Sequence, residues 1–437
     1  MHFKTFSGGI ALPDEKDLTK DRPIEKAPLP KKVILPVSQH TGAFLEPLVA
    51  VGDEVKVGQR IADSEKFISS PVHSSVSGKV TAITPHPHPC GSSITSIIIE
   101  SDGLDTPCEN VKPYPDISTL SKEDARRIVR AAGIVGLGGA AFPTHVKLDP
   151  APGKAIEHYI INGAECEPYL NADNRLMIER PHEVIFGLKA LMKPTDAKTG
   201  IIAIEDNKPE AIASITKALK GEKNISIVIV KTKYPQGGEK QLVKSLLNKE
   251  VPSGGLPLDV GVIVSNVQTA IAVASAIKTG MPLIERVITV AGKKLKNPSN
   301  LLVRIGTSIS DLIDICGGLP ERTRKVLLGG PMTGIAQWSL QTPVIKGVSG
   351  IIVLTDDEVD ELEDSPCIRC AKCVDACPAR LLPNFLGDYA ENGLFIKCKE
   401  YRAPDCIECG ICSYVCPTKR NLTQLIKIAK LELSKNN

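Results

Sequence analysis

Eight of the thirteen cysteines fall into two copies of one pattern: Cys367, Cys370, Cys373 and Cys377-Pro378, then Cys406, Cys409, Cys412 and Cys416-Pro417, offset by 39 residues. Each copy reads C-x2-C-x2-C-x3-C-P, and a segment that must satisfy this spacing twice has few ways to fold. Three thiolates at i, i+3 and i+6 wrap one side of a polynuclear centre and leave its fourth corner to a cysteine from elsewhere. A structural zinc ion takes four ligands, typically from paired C-x2-C knuckles, which leaves the third cysteine and the Cys-Pro of each run unexplained. The pattern therefore predicts two [4Fe–4S] clusters and traffic in single electrons. Cys90, Cys108, Cys166, Cys316 and Cys398 lack ligand spacing and read as packed thiols.

Two-cluster ferredoxins carry the same pair of runs, and in them the last cysteine of each run ligates the other cluster. By that resemblance Cys367, Cys370, Cys373 and Cys416 hold one cluster, and Cys406, Cys409, Cys412 and Cys377 the other. An odd cysteine total, with eight of the thirteen crowded into two runs, is unlike the disulfide framework of a secreted protein. The start, MHFKTFSGGIALPDEKDL, has no apolar signal core, and no apolar run approaches the ~20 residues of a bilayer span, so a cytoplasmic chain is expected. A net charge of +3 and only 4% aromatic residues argue against nucleic acid as a partner.

The 437 residues are too many for one core. Residues 1–32, rich in Pro, Lys and Asp, read as an extended arm. VILPV, EPLVAVGDEVKVGQRIA, SGKVTAI and SITSIIIE then read as short strands of a β-sandwich-like module, closing a first unit at 1–115. V-G-D-x-V-x-x-G-Q followed by S-x-S-G-K-V resembles a biotinyl/lipoyl domain, although Lys66 is out of register for a carrier lysine, so a structural module is expected. Ser121 and Asp124 form a capping box that opens a helix and a second unit, 116–282. There HYIING, GIIAIED, ISIVIVK and VGVIVSN alternate with helical stretches at 182–192, 209–220, 238–248 and 267–279, the pattern of a Rossmann-like α/β layer with a mainly parallel sheet. RVITVAG, LLVRIGTSISDLIDICGG and RKVLLGG suggest a β-grasp unit at 283–350. The acidic run Asp356 to Asp364 reads as a solvated linker into the cluster unit, 351–437. Leu422 to Leu433 is amphipathic, suited to packing on the cluster unit or, less favoured, to docking on a membrane partner. The fold class is thus multidomain, α/β plus α+β.

The loop Gly136 to Lys147, GLGGAAFPTHVK, satisfies G-x-G-x-x-A at Gly136, Gly138 and Ala141. It follows a helix and runs into Phe-Pro, however, whereas a dinucleotide fingerprint needs a strand before and a helix after. It resembles instead the G-R-G-G-A-G-F-P-T-G-x-K loop of the flavin- and NADH-binding subunit of respiratory complex I. Asn162-Gly163-Ala164-Glu165-Cys166-Glu167-Pro168 is similar to that family's N-A-D-E-G-E-P stretch, with Ala164 in place of its Asp. Val264 to Thr269 resembles V-N-N-V-E-T, with Ser265 departing from the first Asn. Tyr234-Pro-Gln-Gly-Gly-Glu239-Lys240 resembles Y-I-C-G-E-E after a one-residue shift, with Lys240 for the second Glu. The resemblance implies non-covalent FMN contacted by Gly136, Gly138, Gly139, Phe142, Lys147, Asn162, Glu239, Asn266 and Thr269. It also implies Glu165 and Glu167 beside the flavin and nicotinamide as catalytic candidates.

This flavin unit, a β-grasp unit of SLBB type, an N-terminal β-domain with FSGGI and QHTGA, and a two-cluster end together resemble the C subunits of Rnf complexes over essentially the whole chain. That family implies NAD(H) exchanging hydride with FMN, single electrons passing through the clusters, and coupling to Na⁺ or H⁺ transport. The partners implied are integral membrane subunits and a ferredoxin-like subunit, with this chain peripheral on the cytoplasmic face of the membrane. Two other readings share these motifs: a soluble corrinoid reductase of the propanediol-utilisation type, and an electron-relay module without nucleotide chemistry.

Overall fold

The computed structural model describes residues 3–114, 116–151, 153–359 and 365–435. Its centre is a four-stranded, all-parallel sheet in the order Ile225–Val230, Thr199–Glu205, His158–Gly163, Val262–Asn266. The strands read as nearly continuous apolar runs because both faces are buried. Ile161 and Ile202 pack under the helices Pro181–Met192 and Val267–Thr279, while Ile160 and Val264 pack with Leu242 and Leu246 of Glu239–Leu247 on the other side. Ser121 caps the helix Lys122–Ala131, its Oγ accepting from the Asp124 N–H.

The two helices on the first face meet at Gly187, where a Cβ would lie 1.9 Å from the Ala270 carbonyl oxygen. Backbone cannot yield as a side chain can, so Gly187→Ala is expected to destabilise the protein by about 3 kcal/mol. Thermal unfolding followed by circular dichroism checks this.

A six-stranded mixed sheet forms the β-grasp unit, in the order Ile24–Lys26, Ser299–Arg304, Glu285–Ala291, Gly350–Thr355, Thr323–Leu328, Ile335–Ala336. Two of its strands lie outside the span 283–350. Gly350–Thr355 pairs on both sides, with Glu285–Ala291 and Thr323–Leu328, and so belongs to this sheet and not to the cluster unit. Ile24–Lys26 comes from the N-terminal arm. That arm has no core of its own, and its backbone groups are satisfied by other units. Lys4 bridges Val230, Ile10 and Tyr234 exchange backbone hydrogen bonds, and the Gly9 N–H donates to the Ala376 carbonyl at 2.8 Å.

The N-terminal module has an antiparallel sheet of Lys32–Pro36, Ser93–Ser101, Gly78–Pro87 and Glu54–Val55 facing a smaller one of Glu46–Pro47, Arg60–Asp63 and Val72–His73, with Leu35, Ile61, Val80 and Ile99 between them. In the cluster unit the helix Leu422–Lys435 buries Leu422, Ile426, Ala429 and Leu433; Ile426 and Ala429 share a core with Leu386 and Cys398, the packing that the amphipathic pattern favours. Of the acidic linker, Asp356–Glu358 forms a short 3-10 turn, and 360–364 lie outside the described residues. Among the described residues no helix is long and apolar enough to cross a membrane.

Candidate functional site

The glycine loop closes on itself. Val135 and Pro143 form a bridge, the Gly136 N–H donates to the Phe142 carbonyl at 2.8 Å, and the Ala141 N–H returns to the Gly136 carbonyl at 3.1 Å. Thr269 holds it from behind, its Oγ1 accepting from the Leu137 N–H at 2.9 Å. Thr41 of the N-terminal module holds it from the other side, through the Ala140 and Ala141 carbonyls. These bonds use up the loop's ends and leave the N–H groups of Gly138, Gly139 and Ala140 without a partner among the described residues. Three consecutive unpaired amides make a donor surface suited to an anion.

That surface opens into a cavity of about 720 Å³. All four units wall it: Gln39, His40 and Thr41; Gly138 to Ala141 with Asn162, Glu165, Glu167, Asp173 and Asn266; the Gly329–Gly330 turn with Thr333; and Ile407, Glu408 and Lys427. The site lies at the carboxyl ends of parallel strands, the usual place in an open α/β sheet. Asn162, next to last in its strand, donates from Nδ2 to the Gly237 carbonyl at 2.8 Å, while its Oδ1 accepts from the Ala164 N–H. Asn266 caps the helix Val267–Thr279 with Oδ1, and its Nδ2 donates to Asp173 Oδ2 at 2.6 Å. Burial, reinforced by the nearby Glu165 charge, holds the Asp173 carboxyl well above the usual carboxylate range, against the pull of the Asn266 and Gln268 amides. Burial also raises Glu167, opposed by hydrogen bonds from Thr333, Met332 and Tyr234.

The structure brings Gly138, Gly139, Asn162, Glu165, Glu167 and Asn266 together on this cavity and sets the other expected contacts behind it. Gly136 and Thr269 shape the loop, and Phe142 gives it a carbonyl, but none of the three lines the cavity. Lys147 and Glu239 also lie off it, neutralising each other at 3.1 Å, with Lys147 donating further to the Val264 carbonyl. Glu165, expected beside the flavin, spends both oxygens on the Asp173 and Asn174 N–H groups at the start of the helix Ala172–Glu179. It is a helix cap at the cavity edge. Asp173 and Lys427 carry no motif that marks them in sequence; Gln268 stands at the Glu position of the V-N-N-V-E-T likeness, Gln39 to Thr41 fall in QHTGA, and Ile407 and Glu408 lie inside the second cysteine run. Of the cysteines that read as packed thiols, Cys316 and Cys398 are buried, Cys108 is half-buried, and Cys166 and the exposed Cys90 line the cavity.

The eight repeat cysteines rim two separate pockets. Cys377, Cys406, Cys409 and Cys412 line one, and Cys367, Cys370, Cys373 and Cys416 the other, so each pocket draws one cysteine from the opposite run. Among the described residues no three His, Cys, Asp or Glu side chains converge on the single point a lone metal ion needs. Thiols spread around a pocket suit a larger inorganic core. The first pocket adjoins the large cavity, because Ile407 and Glu408 line both. Behind them Cys166, Tyr234, Met332 and Cys409 pack together, and the Tyr234 hydroxyl donates to the Cys409 carbonyl at 2.8 Å.

Family models match the chain in this order: an RnfC barrel-sandwich hybrid domain at 4–104, a Nuo51 FMN-binding domain at 129–275, an SLBB domain at 287–336 and a 4Fe-4S dicluster domain at 360–417. Among solved structures, an NAD⁺-reducing [NiFe]-hydrogenase gives a TM-score of 0.48 at 17% identity, over 74% of this chain and 64% of the other. Among curated proteins, the C subunit of the proton-translocating ferredoxin:NAD⁺ oxidoreductase complex of Clostridium ljungdahlii is 48% identical over 98% of this chain and 94% of its own length. Its counterpart in the Na⁺-translocating ferredoxin:NAD⁺ oxidoreductase complex of Acetobacterium woodii is 45% identical over 98% and 97%. With such identity sustained from end to end, the chain belongs to the family of C subunits of ion-translocating oxidoreductase complexes.

Proposed function

We propose that this chain is the peripheral subunit, on the cytoplasmic face of a membrane ferredoxin:NAD⁺ oxidoreductase, at which NAD(H) exchanges a hydride with FMN and single electrons pass through two [4Fe–4S] clusters. The observation that carries the reading is the shared wall: Ile407 and Glu408 separate the cavity from the pocket of Cys377, Cys406, Cys409 and Cys412. When bound, FMN converts between the electron pair of a hydride and the single electrons that cubanes carry.

The residues present fit these groups. The cavity is of ligand size, and Gln39, which is 1% exposed on its wall, has an Nε2 with no partner among the described residues. The free amides of Gly138, Gly139 and Ala140 would hold a phosphate. Asn162 and Asn266 are fixed by their own hydrogen bonds and present rigid polar edges. Glu167 is fixed likewise, by Met332 and Thr333. Each cysteine quartet supplies the four thiolates a cubane takes. The proton- and Na⁺-translocating names of two relatives support coupling to ion movement through further subunits, integral membrane and ferredoxin-like ones among them.

Anaerobic purification with iron, sulfide and FMN reconstitution tests this. The expected result is bound FMN, iron for two clusters, and bleaching of both flavin and cluster absorbance by NADH. A protein that retains no FMN, or that NADH leaves oxidised, overturns it.

A further inference from the structure

The cavity wall carries Glu165 and Glu408 together with Asp173 and Glu167, whose charge burial weakens, and among the described residues lining it Lys427 is the one lysine or arginine. His40 and His88 do not relieve this imbalance, since burial holds both imidazoles below their ordinary range and hence neutral near pH 7. Lys427 belongs to the helix Leu422–Lys435 of the cluster unit, not to the unit that carries the glycine loop. Its Nζ lies 3.7 Å from Glu408 Oε2, and its side chain is 41% exposed. Glu408 does not depend on it: Lys430 pairs with the other oxygen of that carboxylate and also donates to the Cys406 carbonyl at 2.9 Å. Lys427 is therefore a tethered but uncommitted ammonium at the cavity's edge.

A nicotinamide dinucleotide brings a diphosphate into this acidic surround. The free amides of the glycine loop account for one phosphate group, the resident flavin's, and leave the second anion without a donor of positive charge. Given the flavin and nucleotide reading above, we infer that Lys427 binds the diphosphate of the exchanging dinucleotide, so that the cluster unit completes the substrate site. Nucleotide binding then bears directly on the helix that braces Glu408 and the Cys406–Cys409 loop.

The test is Lys427→Gln in the full chain loaded with FMN and clusters. Losing a charge-assisted contact is expected to raise KM for NADH on the order of tenfold with kcat nearly unchanged. Lys427→Arg should restore most of the affinity. Dihydronicotinamide riboside, which can deliver the same hydride but carries no phosphate, should reduce wild type and Lys427→Gln alike. FMN content and the cluster EPR signals should not change. An unchanged KM, an equal loss with the riboside, or loss of FMN in place of the KM effect overturns the assignment. Failure of the wild-type chain to hold FMN would instead overturn the flavin reading beneath it.

Discussion

Cys377→Ala is expected to remove the cluster rimmed by Cys406, Cys409 and Cys412, and to leave iron at Cys367, Cys370, Cys373 and Cys416. The residue belongs to the first run in sequence, yet it lines the pocket of the second. The chain turns there to allow it. The helix Lys372–Ala376 ends at Cys377, whose backbone is extended, and the Gly9 N–H of the arm holds the Ala376 carbonyl just before it. Gly8 fits against that turn only because it has no side chain; its φ is +78°, and a Cβ would lie 2.7 Å from the Cys377 carbonyl oxygen. Since even outer-shell changes cost about 10–100-fold in metal affinity, loss of a thiolate ligand should exceed about 100-fold and empty the pocket. The measurement is iron content with EPR of the reduced protein: one of two signals lost, FMN retained, and NADH still bleaching the flavin. Because the emptied pocket is the one that shares a wall with the cavity, electrons should then fail to reach the remaining cluster. Loss of the Cys367 quartet instead would show that each run serves its own cluster.

Much of this is legible in the sequence for reasons that are local. The parallel strands announce themselves as apolar runs because both faces are buried, and His158–Gly163 and Val267–Thr279 fall where periodicity puts them. The cysteine spacing encodes three corners of each cluster directly. What is not legible depends on contacts between units. The arm looks free in sequence because its hydrogen-bond partners, Lys231, Tyr234 and Ala376, lie hundreds of residues away. By position along the chain the strand Gly350–Thr355 falls beyond the β-grasp unit, although the sheet closes around it. Motif likeness supplies residue types but not the side of the loop they face. Lys147 and Glu239 each suit a phosphate or nucleotide contact, yet between them they satisfy each other. Glu165 lies within a hydrogen bond of two helix N–H groups, and capping claims it. Asp173 and Lys427 belong to no spacing pattern, and only the meeting of units brings them to one cavity.

Glu167 is where these units lock together, and Glu167→Ala is expected to slow NADH-driven reduction of the clusters on the order of 100-fold. Its Oε2 accepts from the Met332 N–H at 3.0 Å; its Oε1 accepts from Thr333 Oγ1 at 2.5 Å and lies 3.4 Å from the Tyr234 hydroxyl oxygen. The same tyrosine hydroxyl reaches the Cys409 carbonyl, so one side chain ties the flavin unit to the β-grasp turn and to the cluster loop. The fit leaves no slack, since a Cβ on Gly330 would lie 2.2 Å from Glu167 Oε2. Truncation to Ala leaves the half-buried Met332 N–H without its acceptor, at about 1–3 kcal/mol, takes away the partner of Thr333 Oγ1, and frees the wall between cavity and cluster pocket. Glu167→Gln keeps the volume but turns an NH₂ toward a donor, so a loss of about tenfold is expected, as for one unsatisfied contact. Anaerobic stopped-flow at flavin and cluster wavelengths checks both variants, with FMN and iron content measured alongside. If flavin reduction slows, Glu167 serves the nucleotide; if only the flavin-to-cluster phase slows, it serves the wall. Wild-type rates in Glu167→Ala would deny it either role.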